Sequence, residues 1–170
     1  YPQGNVSKHF DGLKVGDTVD LKGPIPKIPI KANMKKEIVM IAGGTGVTPM
    51  LQVAKKLLND PADKTQITLL FANNTEQDIL LREKLTELQS KHKNFNVHHV
   101  IWKPSDKWRG LSGVIGAEVI KRYVPAPSKD TLVMVCGPPP FMQAISGDKT
   151  KDYQQGEVTG LLKDHGYSSE

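Results

Sequence analysis

Three glycines carry the strongest chemical signal in this chain. Gly43, Gly44 and Gly46 lie in Ala42-Gly43-Gly44-Thr45-Gly46-Val47-Thr48-Pro49-Met50. An apolar run of strand length, Ile38 to Ile41, precedes them, and Met50, Leu51, Ala54, Leu57 and Leu58 follow at helical spacing. Glycine lets the backbone turn sharply and lets a ligand lie against the main chain. A helix starting directly after such a turn presents N–H groups and the positive end of its dipole, which suits a phosphate. Thr48 suits the helix N-cap and Pro49 the first helical position. The spacing G-G-x-G-x-x-P is not the G-x-G-x-x-G dinucleotide fingerprint. Taken alone, the stretch also fits a strand–helix turn that merely accommodates glycine.

Two more stretches follow apolar runs of strand length. Asn73, Asn74 and Thr75 succeed Gln66 to Ala72, and Cys136-Gly137-Pro138-Pro139-Pro140 succeeds Thr131 to Val135. In an open parallel sheet, ligands sit beyond the carboxyl ends of the strands. Convergence of the three stretches there favours a nucleotide site. Asn73 and Asn74 are polar groups placed to read a ribose, though the same residue types make ordinary Asx turns and N-caps. Cys136 is either a small core residue or a thiol at the site. No His or Asp adjoins it in sequence as a base, which argues against a covalent nucleophile. The five histidines show no metal-ligand spacing, and His98 and His99 fall on opposite faces of a strand, so no metal site is expected.

The elements that must hold these residues alternate strand and helix from residue 37 onward. The pattern predicts strands at Ile38 to Ile41, Gln66 to Ala72, Asn96 to Trp102 and Thr131 to Val135. It predicts helices after Thr48, over Asp78 to Lys91, Gly116 to Tyr123, Phe141 to Ile145 and Gly156 to His165. Repeated βα units of this length imply an α/β fold, a doubly wound parallel sheet with right-handed crossovers. Residues 1 to 35 differ. Ser7 is placed to cap a short helix, and Thr18 to Leu21 alternates like a strand. Pro24, Pro26 and Pro29 then break any sheet pairing. This segment reads as the end of a β-domain whose earlier strands precede Tyr1, with residues 36 to 170 forming the α/β domain.

Composition narrows the class. The chain has 170 residues, with 38% hydrophobic and 24% charged, which fits a globular rather than a disordered protein. One cysteine excludes an internal disulfide framework and a cysteine zinc site. The formal net charge of +5 suits an acidic partner, a phosphate ligand or simply solubility. No apolar run approaches the roughly 20 residues of a membrane helix.

Taken together, Ala42 to Met50, Asp78-Ile79-Leu80-Leu81-Arg82 and Cys136 to Pro140 resemble the NADH-cytochrome b5 reductases, members of the ferredoxin reductase-like flavoproteins. Cys136 to Met142 and Gln155-Gly156-Glu157-Val158-Thr159-Gly160 are similar to the fungal mitochondrial form in particular. The resemblance implies a ferredoxin reductase-like nicotinamide domain at residues 36 to 170, preceded by the C-terminal remnant of an FAD-binding β-barrel. It implies FAD and NADH as cofactors and a cytochrome b5-like haem protein as partner, with no nucleic acid. Gly4, Asn5, Val6 and Ser7 correspond to an element that holds the FAD pyrophosphate, and Lys22-Gly23-Pro24 to a second barrel element. Gly43, Gly44, Thr45, Gly46 and Pro49 correspond to the NADH site. Gly137 and Pro138 correspond to the nicotinamide-side wall, and Asn73, Asn74 and Pro139 are expected as further cofactor contacts. Thr48 and Cys136 lie nearest the hydride path, the cysteine without reacting covalently.

The family's R-x-Y-[ST] flavin motif is expected upstream of Tyr1, and so is any membrane attachment. The resemblance implies the mitochondrial outer membrane or intermembrane space, with the cytosolic face of the endoplasmic reticulum as the alternative. Trp102 follows the third strand where members favouring NADH often carry an aspartate, with Asp106 a few residues on, so NADH against NADPH stays open. The flavin part of another reductase, such as nitrate reductase, and a nucleotide-binding module without redox activity are the alternative functions.

Overall fold

Ile38 to Ala42 are apolar without interruption, so a strand built from them must be covered on both faces. They lie in β1 (Glu37–Gly43), where every residue after Glu37 is buried. The computed structural model describes residues 2–23, 25, 28–152 and 154–169. Around β1 it assembles β2 (Gln66–Asn73), β3 (Phe95–Ile101), β4 (Leu111–Ser112) and β5 (Thr131–Cys136). The order is β4-β3-β2-β1-β5, and every pairing is parallel. Ile41 lies beside Leu70 on one side and Val135 on the other. The chain steps outward from β1 to β4 and then returns to the far side of β1 with β5. That reversal opens a crevice between the ends of β1 and β5.

The period-two alternation along the strands sends side chains to two cores. Met40, Ala42, Leu69 and Phe71 face α2 (Val47–Leu58) and α3 (Arg82–Lys91), meeting Val47, Met50, Leu57, Leu85 and Leu88. Val39, Ile41, Leu70 and Val100 face the opposite layer. There they meet Ile120 of α4 (Ala117–Tyr123), Ile145 of α5 (Pro139–Ile145) and Leu162 of α6 (Gly160–Asp164). The doubly wound parallel sheet expected from the alternating pattern is therefore present.

Several boundaries differ from those the sequence pattern predicts. The helix expected from Asp78 starts at Arg82. Thr75 and Asp78 close a capping box over a 3-10 turn, Glu76–Asp78, and Leu81 then takes a left-handed φ of 57° before α3 begins. Ile79 is buried as expected of a core residue, whereas Leu80 and Leu81 are exposed. The last helix is shorter than Gly156 to His165, and α5 starts at Pro139 rather than Phe141 because proline fits a first turn that needs no amide donor. Strand β4 is two residues long, too short to show periodicity.

Before β1, α1 (Val6–Asp11) carries no buried residue. Ser7 sits inside this helix and does not cap it; Asn5 is the N-cap, without a side-chain bond. Thr18 to Leu21 forms no strand. Tyr1, Pro24, Pro26 and Lys27 lie outside the described residues. Residues 30–36 are anchored instead through Asp63, which is buried and accepts from the Asn33 amide at 2.6 Å and the Thr65 amide at 2.9 Å. Asn33 answers with its own side chain, which accepts from the Lys64 amide and donates to the Ala62 carbonyl.

Candidate functional site

The glycine turn after β1 meets the end of β5 backbone to backbone. A Cβ at Gly46 would stand 2.1 Å from the Cys136 carbonyl oxygen and 2.5 Å from its carbon. Gly46 has an ordinary helical φ of −61°, so it is glycine for space rather than for conformation. Gly44 is the converse. Its φ is +53°, which L side chains rarely adopt, and nothing lies within 4 Å of a Cβ built there. One glycine thus pins the turn against β5, and another leaves main chain bare beside open space.

The helix after the turn starts two residues earlier than the Thr48-Pro49 pattern suggests. Gly46 is the N-cap of α2, and no side chain caps it. Thr48 is therefore not the N-cap. Its hydroxyl donates to the Thr45 carbonyl at 3.0 Å, bracing the turn, and Pro49 lies within the first turn, where no intrahelical donor is required. Phe141 is a site residue that the sequence pattern treats only as the start of a helix. Its ring lies 3.1–3.3 Å from a Cβ at Gly43, and its nearest atom is 2.5 Å from one at Gly137. Gly137 leaves room for this ring, and Gly43 packs tightly against it. Pro138 is the N-cap of α5 and Pro139 its first residue, so the β5 turn is stiff as well as glycine-bearing.

Beyond β2, Asn73 is 8% exposed, and its side-chain nitrogen and oxygen have no partner in the protein. A buried, unpaired amide is costly, and it is unusual enough to mark a place where a ligand or water completes the bonding. Main-chain bonds join the ends of β2 and β3: the Trp102 amide donates to the Asn73 carbonyl at 3.0 Å, and the Lys103 amide to the Asn74 carbonyl at 2.8 Å. Asn74 is exposed, while Thr75 is taken up by its bonds to Asp78. The Glu76 carboxylate accepts from the Ser105 hydroxyl at 2.5 Å and from the Ser105 amide at 3.2 Å. Ser105 chiefly, with Arg82 adding to it, holds Glu76 below the usual carboxylate range against the opposing effect of burial.

Cys136 ends β5 half-buried, with its thiol free. The two histidines of β3 do face opposite ways. The His98 ring lies 4.3 Å from that of Tyr123, and the His99 ring 5.8 Å from that of Phe71. Among the described residues, no group of three or more His, Cys, Asp or Glu is arranged to hold a metal. The structure brings Gly43, Gly44, Thr45, Gly46, Thr48, Pro49, Cys136, Gly137, Pro138 and Pro139 to the β1–β5 crevice, with Asn73 and Asn74 at the end of the neighbouring strand. Gly4, Asn5, Val6 and Ser7 lie in or just before α1. Among the described residues, no hydrogen bond ties them to the crevice.

Residues 40–147 match the family described as Oxidoreductase NAD-binding domain. The chain belongs to that family. Its unpaired Asn73 amide and bare Gly44 backbone fit a dinucleotide laid across the strand ends. This NAD-binding domain is 48% identical over 170 residues to a NADH-cytochrome b5 reductase-like protein of Arabidopsis thaliana, covering 100% of this chain and 52% of that one. It is 46% identical over 172 residues to NADH-cytochrome b5 reductase 2 of Yarrowia lipolytica, covering 100% of this chain and 59% of the relative. The chain thus spans little more than half the length of these curated relatives. Among solved structures, the cytochrome b5 reductase domain of Ulva prolifera nitrate reductase superposes with a TM-score of 0.81 at 35% identity, over 98% of this chain and 63% of that one. The CS-b5R domains of human Ncb5or superpose with a TM-score of 0.76 at 27% identity, over 99% and 45%.

Proposed function

We propose that this chain is the nicotinamide-binding part of an NADH-cytochrome b5 reductase. The observation that carries the reading is the crevice between β1 and β5, with Gly46 pressed on the Cys136 carbonyl and Gly44 left bare. The names borne by the Arabidopsis and Yarrowia relatives support the chemistry. When bound, NADH supplies a hydride to FAD, which passes the electrons singly to a haem protein.

The chain's own residues bind and orient. Gly44 and Gly46 allow the pyrophosphate to approach the main chain at the start of α2. Asn73 offers an unsatisfied donor and acceptor to a ribose. Thr48, braced on Thr45, and Cys136, on the stiff β5 turn, shape the two sides of the pocket around the ring that reacts. Holding reactants in one geometry accounts for much of the rate in such a transfer, and no acid–base residue is required.

Gly4, Asn5, Val6, Ser7 and Lys22-Gly23 belong in this reading to the FAD-binding barrel, within residues 1–35. Pro24 of the same element lies outside the described residues. Lys22 and Lys31 supply positive charge toward an acidic cytochrome b5-like haem protein, and Lys27, read from the sequence for the same role, lies outside the described residues. In this reading the protein works at the mitochondrial outer membrane or intermembrane space, the endoplasmic reticulum being the alternative, a reading that rests on the resemblance of Cys136 to Met142 and Gln155 to Gly160 to the fungal mitochondrial form. No helix among the described residues is long and apolar enough to cross a membrane.

The test is anaerobic mixing of the FAD-loaded protein with NADH, followed by addition of cytochrome b5. Bleaching of the flavin and then reduction of the haem are expected. Haem reduction should slow with salt, because exposed charges are screened beyond about 8 Å at physiological ionic strength. Reduction of an uncharged quinone acceptor should not slow in this way. A protein that binds ADP-ribose but never bleaches is a nucleotide module without redox activity. The likeness to the nitrate reductase domain favours a second reading, the flavin part of a larger reductase. Bleaching without electron transfer to cytochrome b5 would decide for it.

A further inference from the structure

Strand β4 is two residues long, and its shortness leaves part of the sheet edge bare. It pairs with Val100 and Ile101, so β3 has no strand beside Val97, His98 and His99 on that side. The Val97 amide donates instead to the Gln89 side chain of α3 at 2.6 Å. A cavity of about 440 Å3 opens where a longer β4 would run. Its walls are Val97 to His99, the chain from Trp108 to Leu111, and Arg122 and Tyr123 at the end of α4. This edge lies two strands away from β1, and none of those residues belongs to the β1–β5 crevice.

The wall carries two guanidiniums and no carboxylate. They come from the loop before β4 and the last turn of α4, segments that only the fold brings together. Arg109 is fixed through Nη1, which donates to the Asp106 carbonyl at 2.8 Å and the Trp108 carbonyl at 3.0 Å. Arg122 lies over the Tyr123 ring, 5.2 Å from its centre, and that ring faces His98 at 4.3 Å. Among the described residues neither guanidinium is within ion-pair distance of a carboxylate, those of Asp106 and Glu118 included. One further polar atom of the wall, Nδ1 of His99, is buried without a partner.

Unpaired like charges beside one cavity repel, and an oxyanion between them offsets that repulsion. The planar fork of arginine matches a phosphate through two parallel bonds. The cavity is larger than a phosphate ion requires, and Trp108 and Tyr123 give it aromatic walls. We propose that Arg109 and Arg122 form a second anion site at the β3 edge, which takes a phosphate group, free or as a small monoester, independently of the dinucleotide.

The probes are inorganic phosphate and phenyl phosphate, with chloride at matched ionic strength as the control. Isotope-labelled residues 1–170 are titrated and followed by NMR. The amides of Val97, His98, Arg109 and Arg122 are expected to shift saturably with the phosphates and not with chloride. Tighter binding of phenyl phosphate would identify a monoester site, and equal binding a site for the free ion. Arg109→Gln and Arg122→Gln should each weaken binding about fivefold, the upper range for one exposed ion pair, and leave ADP-ribose within about twofold. Arg109 is exposed and bonds only to nearby carbonyls, so its variant keeps the test open if Arg122→Gln disturbs packing on Tyr123. Shifts that follow ionic strength alone would overturn the proposal, as would phosphate affinity unchanged in Arg109→Gln. Phosphate that moves the amides of Gly44 and Gly46 but not those of the β3 edge would overturn it too, by making the crevice the anion site.

Discussion

Gly46→Ala tests whether the site is built by direct contact between the β1 turn and the end of β5. The added methyl would start 2.1 Å from the Cys136 carbonyl oxygen and 3.0 Å from the Gly137 amide nitrogen. Both obstacles are main chain, so no rotamer change relieves them. Bringing the oxygen to a 3.0 Å separation needs a shift of about 0.9 Å (3.0 − 2.1) between two buried segments. Overpacking of this kind costs about 1–3 kcal/mol, and rigid neighbours on both sides place it near the upper end. The φ of −61° suits alanine, so the reduced freedom of the unfolded chain returns up to about 1 kcal/mol. A net loss of about 2 kcal/mol corresponds to a fall in Tm of about 4–8 °C for a domain of this size. Gly116→Ala is the control, since nothing lies within 4 Å of a Cβ there. Circular dichroism would follow the melt. Amide shifts of Cys136 and Gly137 would locate the strain, and ADP-ribose titration would show a loosened crevice. A Gly46→Ala chain that melts within about 1 °C of the native one, with those two amides unmoved, would refute the contact and the crevice built on it.

Other predictions follow from single features. Cys136→Ser in the FAD-loaded protein should retain flavin and slow its reduction by NADH about tenfold, near 1.4 kcal/mol in barrier. In stopped-flow an unchanged rate would make the thiol ordinary packing, and complete loss with flavin retained would make it a nucleophile. Asp63→Ala should cost about 2–4 kcal/mol in urea unfolding, because two amides, of Asn33 and Thr65, lose a charged acceptor. His98 and His99 are held below the usual 6.5, chiefly by burial, with Arg122 adding to it at His98, and Arg82 and His98 at His99. The unfolded chain then binds more protons than the native one, so stability is full above about pH 6.5 and declines as pH falls. Replacing both histidines by Gln should flatten the urea midpoint between about pH 7 and 5. Glu87, held down to about 2 by Lys84 and Lys91, acts only below the usual carboxylate value of 4.5 and leaves that window clear.

Much of this fold is legible without coordinates because its strands are apolar on both faces. Ile38 to Ile41 and Gln66 to Ala72 can be satisfied only by a sheet with two helical layers. The glycine turn is legible for the same local reason, since strand, turn and helix are contiguous. Element edges are less so. Ile79, Leu80 and Leu81 read as one helical face, yet the Thr75–Asp78 capping box closes a separate turn and Leu81 goes left-handed. Only one of those three apolar residues is buried. In the segment before β1, Thr18 to Leu21 alternates correctly but has no paired strand, and alternation alone cannot supply a partner.

The site's less visible half consists of contacts between distant segments. Gly46 reads as one more turn glycine, but its conformation would suit any residue; the Cys136 carbonyl is what excludes a side chain. Phe141 reads as a helix start, although its ring rests on Gly43 and Gly137 from two different strands' ends. Asn73 reads as a turn former, and only burial shows that its amide has no partner. These three residues share a cause. Each is selected by something across the β1–β5 boundary or beyond the strand ends, where the sequence is discontinuous and the sheet is not. That boundary is where the order of strands reverses. The residues that local pattern explains worst are therefore the ones the topology concentrates around the dinucleotide crevice.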